Sequence, residues 1–118
     1  MAAHTDFGIL GEELARDYLV RKGYTILYRN WRHSHYEIDI VALKDDLPHF
    51  VEVKTRSSNE FGEPEDSVSK KKIRCLLQAA DEFIYKHPRY TDFRIDILSI
   101  TIHPNQEPQY FFIEDVYL

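Results

Sequence analysis

The chain has 118 residues, 43% of them hydrophobic and 30% charged, which is the composition of a globular protein with one hydrophobic core. Its 15 basic and 20 acidic residues leave a formal net charge of −5, which argues against a protein that simply coats nucleic acid. A single cysteine, Cys75, excludes an internal disulfide, and no signal peptide or membrane span is visible, so we expect one cytoplasmic domain over residues 1–118.

The first half of the chain predicts one helix and three strands. From Asp6 to Lys22 the apolar residues recur at helical spacing, and Gly23 supplies a stop. Strands are predicted over residues 24–32, 36–44 and 48–56, where apolar and polar residues alternate.

The second half predicts a polar loop over residues 57–66, a helix and two strands. Ser67 is the expected N-cap of a helix that reaches about Lys86, and the His87-Pro88 pair ends it. The last strands are predicted over residues 94–103 and 109–117. A helix between the third and fourth strands predicts a parallel crossover, and therefore a mixed sheet flanked by helices.

The second and third strands carry acids that the expected hairpin brings together. A two-residue turn at 45–46 places Asp39 opposite Glu52, and Glu37 opposite Lys54. Carboxylates directly opposed in a sheet repel each other unless a cation lies between them. Mg²⁺ binds through one or two carboxylates together with water and phosphate oxygens, so this hairpin predicts a metal site.

Two further residues are placed to join that site. Lys54 lies two residues beyond Glu52 on the same strand face, where an ammonium group offsets charge on a reacting phosphate or helps to position a water. On the first helix, Glu12 lies at the edge of the apolar arc and leans toward the sheet, whereas Glu13 points nearly opposite the arc and is expected in water.

Simpler interpretations remain open for most of these residues. An acid-x-Lys strand is usually a solvated face, and a lysine run such as 70–72 with Arg74 is usually a solvated helix start. The basic cluster Arg29, Arg32, His33 and His35 either contacts a phosphate backbone or solubilises a sheet edge. The spacing of its histidines does not fit zinc, and no glycine-rich phosphate loop is present.

An ordered set of motifs resembles the bacterial YraN family, which is proposed to share the fold of Holliday-junction resolvases and PD-(D/E)XK nucleases. The matching residues are Gly11-Glu12, Ala15, Tyr18-Leu19, Gly23-Tyr24, Asn30, Arg32, Glu37-Ile38-Asp39, Phe50 to Lys54, Arg56, Val68, Lys72, Ala79-Ala80 and Arg94-Ile95-Asp96. Each motif alone is weak, but the set extends over about a hundred residues.

The resemblance implies a restriction-endonuclease-like αβββαβ core and assigns roles to several residues. Asp39, Glu52 and Glu12 would bind Mg²⁺ or Mn²⁺, and Lys54 would serve the attacking water. The residues expected to contact nucleic acid are Arg32, Arg56 and Lys72. Where the family usually has glycine before Glu-Ile-Asp, this chain has Tyr36, which affects the approach of a substrate rather than the chemistry.

Two functions follow from these observations. The first is a metal-dependent endonuclease that acts on DNA, branched DNA included, and the resemblance implies a homodimer. The second is a catalytically silent nuclease fold that binds nucleic acid or a protein partner. A glycosidase that uses a carboxylate pair is set aside, because directly opposed acids beside a lysine suit a metal better than a sugar and its water.

Overall fold

A computed structural model describes residues 6–57 and 68–116, and its element order is the predicted one. The elements are α1 (Asp6–Arg21), β1 (Thr25–His33), β2 (Tyr36–Lys44), β3 (Leu47–Ser57), α2 (Lys70–Lys86), β4 (Arg94–Ile102) and β5 (Gln109–Ile113). In this part of the chain no helix is long and apolar enough to cross a membrane.

The five strands form one mixed sheet in the order β1-β2-β3-β4-β5. β3 and β4 are parallel, whereas the other three neighbouring pairs are antiparallel. α2 is the crossover between the two parallel strands, because a parallel pair cannot be joined by a tight turn. The predicted mixed sheet is therefore confirmed.

The hairpin between β2 and β3 has the predicted turn and register. Asp45 and Asp46 both have positive φ, 54° and 62°, as a two-residue type I′ turn requires. The paired residues run from Lys44 opposite Leu47 to Ile40 opposite Val51. This register fixes which side chains of β2 and β3 lie side by side.

Each face of the sheet is covered by one helix. The core beneath α1 contains Ala15, Leu19, Tyr24, Ile40, Ala42, Val51, Leu98 and Ile100. The core beneath α2, called the α2 cluster below, contains Ile38, Val41, Phe50, Leu76, Ala79, Ala80, Phe83 and Ile95. α1 lies close to the sheet at Gly11, since a Cβ atom added there would overlap the side chain of Thr55.

The ends of the helices follow local chemistry. α1 ends at Arg21, Gly23 beyond it adopts a φ of 96° that suits glycine, and the N–H of Tyr24 donates to the carbonyl of Leu19 at 3.0 Å. The predicted N-cap of α2 was wrong, because Ser69 caps the helix and its hydroxyl accepts from the N–H of Lys72 at 3.2 Å. Ser67 and the rest of the predicted loop beyond Ser57 lie outside the described residues.

The last strand is shorter than predicted. β5 ends at Ile113, whereas the alternating aromatics predicted a strand to residue 117. Asp115 adopts a positive φ of 56°, and its N–H donates to Oδ1 of Asp96 at 2.9 Å. The N–H of Val116 donates to the carbonyl of Ile95 at 2.7 Å, so these contacts to the start of β4 replace further strand pairing.

Candidate active site

Asp39 and Glu52 meet where β2 separates from β3. The hydrogen-bonded ladder ends at Ile40 and Val51, one pair short of these acids. Beyond that point Oδ2 of Asp39 accepts the backbone N–H of Val53 at 2.8 Å, and the Asp39 and Glu52 side chains hydrogen-bond to each other. The structure therefore brings the two predicted acids together through their side chains, beyond the end of the ladder.

A break in strand alternation lies behind this arrangement. Ile38 and Val41 both face α2, although Ile40 between them faces α1, so the regular alternation of β2 fails at Asp39. Across the β1–β2 ladder from Asp39 lies Asn30, with a positive φ of 53°. Asparagine tolerates this left-handed conformation better than most residues, so Asn30 is the sequence signal for the irregular strand geometry at this point.

The two acids share one proton more readily than they ionise together. Burial is the main cause that raises the pKa of Glu52, to about 8, and the negative charge of Asp39 raises it further. Burial also raises the pKa of Asp39, although the Val53 N–H opposes that change. At neutral pH Glu52 therefore keeps its proton and donates it to the Asp39 carboxylate.

The donor set fits a hard divalent cation. Oε1 of Glu52 is buried and accepts no hydrogen bond within the described part of the chain. A divalent ion would satisfy this oxygen and remove the repulsion between the carboxylates, and Mg²⁺ or Mn²⁺ commonly uses two carboxylates and completes its shell with water or phosphate oxygens. Asp39 and Glu52 are the residues that would hold it.

The predicted third acid does not join the pair. Across residues 6–57 and 68–116, no three His, Cys, Asp or Glu side chains are grouped as a metal site. The physical reason is the sheet itself: Glu52 shares a strand face with Phe50 of the α2 cluster, whereas Glu12 is carried by α1 on the other face. The three predicted acids are therefore not grouped in this structure, and a role of Glu12 at a bound metal stays a prediction.

The prediction for Glu13 also needs correction. Its side chain is 43% exposed rather than fully in water, because Oε1 lies 2.7 Å from Nη1 of Arg29 and Oε2 lies 3.4 Å from Nη2 of Arg16. The helical wheel of α1 contains no information on Arg29, which comes from β1. Arg29, one member of the predicted basic cluster, therefore forms an ion pair with Glu13 of α1.

Two lysines flank the acid pair. Nζ of Lys72 lies 3.7 Å from Oε2 of Glu52, and its positive charge lowers the pKa of that carboxyl. Lys54 is exposed on β3 and has a smaller effect in the same direction. Lys72 was predicted only as a contact to nucleic acid, and its position in the first turn of α2, where a cation is disfavoured by the helix dipole, was the signal for a further role.

The two predicted arginine contacts differ. Arg56 is only 7% exposed, so its side chain is largely covered in this structure, and its contact to nucleic acid stays a prediction. Arg32 has a 45% exposed side chain, and its Nη2 lies 3.6 Å from Oε2 of Glu37. Glu37 therefore pairs with Arg32 of β1. It was predicted to lie opposite Lys54 of β3, but the β2–β3 ladder ends before that position.

Cys75 is half-buried, as expected.

A second buried polar pair, His49 and Asp96, was not predicted from the sequence. Nδ1 of His49 lies 2.7 Å from Oδ2 of Asp96, which is fully buried and also accepts from the N–H of Asp115. The ring of Tyr24 packs edge-on against His49 at 5.0 Å. This pair joins the start of β3 to β4 and to the chain after β5, and the parallel register that creates it cannot be read from either strand alone.

Comparisons with known proteins place these residues in a family. A sequence model described as uncharacterised protein family UPF0102 matches residues 11–100. A UPF0102 protein of Flavobacterium psychrophilum is 43% identical over 100 residues, covering 85% of this chain and 84% of that protein. One of Flavobacterium johnsoniae is 44% identical over 111 residues, covering 91% and 89%. Among solved structures, the chain is similar to Hjc, a Holliday junction resolvase of Archaeoglobus fulgidus, with a TM-score of 0.42 and 17% identity over 84% of each chain.

Proposed function

The chain belongs to the uncharacterised protein family UPF0102, in agreement with its resemblance to YraN proteins, and from its site we propose that it is a divalent-metal-dependent nuclease acting on DNA. The proposed substrates include branched or otherwise structured DNA, and the proposed reaction is hydrolysis of a phosphodiester bond in the cytoplasm. Support comes from the side chains at the opening between β2 and β3.

One observation carries the proposal. Glu52 is buried, half-buried Asp39 hydrogen-bonds to it, and Oε1 of Glu52 has no hydrogen-bond partner among the described residues. A buried carboxyl oxygen without a partner costs about 1–3 kcal/mol, and a close pair of acids is unfavourable when both ionise. Such an arrangement is expected where a bound cation is part of the working state.

The proposed roles follow from position. A divalent ion held by the two acids would polarise a phosphoryl oxygen and lower the pKa of an attacking water. Lys54, exposed on the same strand, offsets charge that develops on the phosphate. Lys72 lies at the rim of the acid pair with a 44% exposed side chain, so its ammonium group is available to a substrate phosphate when a cation takes its place beside Glu52.

DNA is supported by local charge rather than total charge. The net charge of −5 belongs to the chain as a whole, whereas the cations that act on Glu52 are Lys72, at 3.7 Å, and Lys54. A local basic rim attracts a phosphate backbone within a distance of about 10 Å at 0.1 M salt, because more distant charges are screened. A phosphate bound by these lysines would lie next to the acids.

A second function is favoured by one specific observation. The pKa of Glu52 is raised to about 8 and Lys72 lies 3.7 Å from its Oε2, so a shared proton and the lysine reduce the repulsion between the acids without a metal. A nuclease fold in which this state persists would bind nucleic acid or a protein partner without turnover. The response of the protein to divalent ions distinguishes the two functions.

Cleavage assays test the first function directly. Labelled duplex, single-stranded, flapped and four-way junction DNA would be incubated with Mg²⁺ or Mn²⁺ and with wild type, Asp39→Asn, Glu52→Gln or Asp81→Asn. Asp81 is exposed on α2 and is the matched control. We expect wild type and Asp81→Asn to cleave and the other two variants to lose at least a hundredfold in rate, on the order of what one catalytic group contributes. Absence of metal-dependent cleavage by wild type on every substrate would favour the binding function.

A further inference from the structure

A small pocket lies at the tip of the β1–β2 hairpin. Its volume is about 260 Å³, and it is lined by Arg32, Ser34, His35, Tyr36 and Glu37. Ser34 adopts a positive φ of 57° in the turn that joins the two strands. A pocket of this size suits one small ring system rather than a folded peptide.

The 260 Å³ of this pocket fall just below the range of about 300–1,000 Å³ that is usual for drug-sized ligands. Its most favourable wall for a flat ligand is the ring of Tyr36. This ring is half-buried, because one side packs against the α2 cluster, and the imidazole of His35 lies 5.2 Å from it at a tilt of 60°. A ring held in this way is already ordered before a ligand arrives, which lowers the entropic cost of stacking.

The charges of the pocket favour a base over a phosphate. Arg32 and Glu37 oppose each other across the two strands, with 3.6 Å between Nη2 and Oε2, so a positive and a negative charge lie side by side. A phosphate would be repelled by the carboxylate. A neutral nucleobase has both donors and acceptors on its edge, and these match a carboxylate, a guanidinium group and the Ser34 hydroxyl.

The pocket is within reach of the acid pair. Tyr36 and Asp39 are three residues apart on β2, which corresponds to about 10 Å along a strand. Stacked nucleotides advance about 3.4 Å each, so a base in the pocket lies about three nucleotides from a phosphate at Asp39 and Glu52. A base that is paired inside a duplex cannot enter such a pocket, because its edge is already occupied and its faces are stacked.

We propose that this pocket receives one unpaired nucleobase, stacked on Tyr36, and so directs the protein to DNA that has an unpaired base near the cleavage point. This inference rests on the proposed nuclease function and specifies its substrate class.

Binding measurements with matched DNAs test the subsite. Two fluorescein-labelled duplexes would differ only by one unpaired base, and the protein would be titrated by anisotropy with Ca²⁺ in place of the catalytic ion. We expect wild type to bind the DNA with the unpaired base roughly five- to hundredfold more tightly, which is the effect of stacking one base on an aromatic ring. With 2-aminopurine as the unpaired base, its fluorescence should be quenched on binding.

Three variants separate stacking from structural effects. Tyr36→Leu keeps an apolar contact with the α2 cluster but has no ring, so it should lose both the preference and the quenching. Tyr36→Phe should keep both. Tyr85→Leu, at a tyrosine that is 82% exposed on α2, should behave as wild type. The thermal midpoint of each variant shows whether it is folded, and the quenching in wild type provides a readout even if Tyr36→Leu does not fold.

The outcomes for the subsite and for hydrolysis are distinct. Equal affinity of wild type for the two DNAs, unquenched 2-aminopurine, or a folded Tyr36→Leu variant that keeps the preference overturns the subsite. A preference that depends on Tyr36 without any cleavage in Mg²⁺ or Mn²⁺ leaves the subsite standing and removes the nuclease function. Cleavage that depends on Asp39, without a preference for the unpaired base, supports the nuclease function and overturns the subsite. Failure to bind either DNA contradicts both the subsite and the nuclease function.

Discussion

The backbone N–H of Val53 donates to Oδ2 of Asp39 at 2.8 Å, so a side chain of β2 replaces the strand carbonyl that would otherwise pair with β3. Replacing Asp39 by Asn keeps an oxygen for this hydrogen bond, whereas Asp39→Ala removes it. Asp39→Ala should therefore lower the free energy of unfolding by about 1–3 kcal/mol, and Asp39→Asn by less. Urea denaturation without metal measures the difference, and equal losses for the two variants would show that the hydrogen bond contributes little.

Stability should fall with rising pH between about 4.5 and 8. The pKa of Glu52 is raised to about 8 in the folded protein, from an ordinary value of 4.5, and the pKa of Asp39 is raised as well. Below 4.5 both states of the protein hold the Glu52 proton, and between the two values only the folded state does. The stabilisation is therefore present at low pH and is lost as the pH rises through 8, by at most about 1.4 kcal/mol per pH unit for one proton.

The Glu52→Gln variant provides the control for this pH dependence. Glutamine is the closest uncharged isostere, so urea midpoints of this variant should change less than those of wild type between pH 4.5 and 8.5. The comparison is made without divalent ions, because a bound metal would compete with the proton. If the two proteins show parallel curves, Glu52 does not have the raised pKa assigned to it.

Gly11 should be intolerant of a side chain. An added Cβ would overlap Oγ1 of Thr55, so Gly11→Ala forces α1 away from β3, and overpacking of this kind costs about 1–3 kcal/mol. Thr55→Ala in the same protein should recover part of that loss, because it removes the nearest atom. The neighbouring Leu10→Ala is the control, since Leu10 is 47% exposed. Urea unfolding of wild type, Gly11→Ala, Thr55→Ala and the double variant measures the coupling, and additive effects would contradict it.

Loss of His49 should destabilise the protein strongly. The carboxylate of Asp96 is fully buried and has the His49 ring as a partner at 2.7 Å, so His49→Ala leaves a buried acid with only one of its two observed hydrogen bonds. A buried acceptor left without its hydrogen-bond partner costs about 1–3 kcal/mol. His49→Ala combined with Asp96→Ala should lose less than the sum of the single variants. A loss below about 1 kcal/mol for His49→Ala would show that the pair is not an important contact.

Much of the fold follows from patterns that are local in the sequence. The helical spacing before Gly23, the Asp45-Asp46 turn and the alternating side chains predicted the element order and the hairpin register, which runs to the pair next to Asp39 and Glu52. The parallel pairing of β3 with β4 followed from the helix between them. These signals depend only on backbone preferences and the period of the side chains.

The remaining errors concern contacts between distant segments. Glu13 pairs with Arg29 because β1 lies beside α1, and Asp96 meets His49 because two strands are parallel in one particular register. The alternation of β2 breaks at Asp39, so a strict period of two did not predict its contact with Val53. Glu12 was expected at the metal site from a helical wheel, which does not show on which face of the sheet the helix packs.

A crystal soaked in Mn²⁺ shows whether Asp39 and Glu52 hold a divalent ion, because the anomalous signal of manganese locates the ion independently of activity. We expect one peak between Asp39 and Glu52, at roughly 2.0–2.3 Å from an oxygen of each. Lys72 should be displaced from Glu52, and Glu12 should lie outside the coordination shell. Glu52→Gln treated in the same way should show a weaker peak or none. A wild-type crystal with no peak at this pair, or with manganese bound elsewhere, would contradict the account.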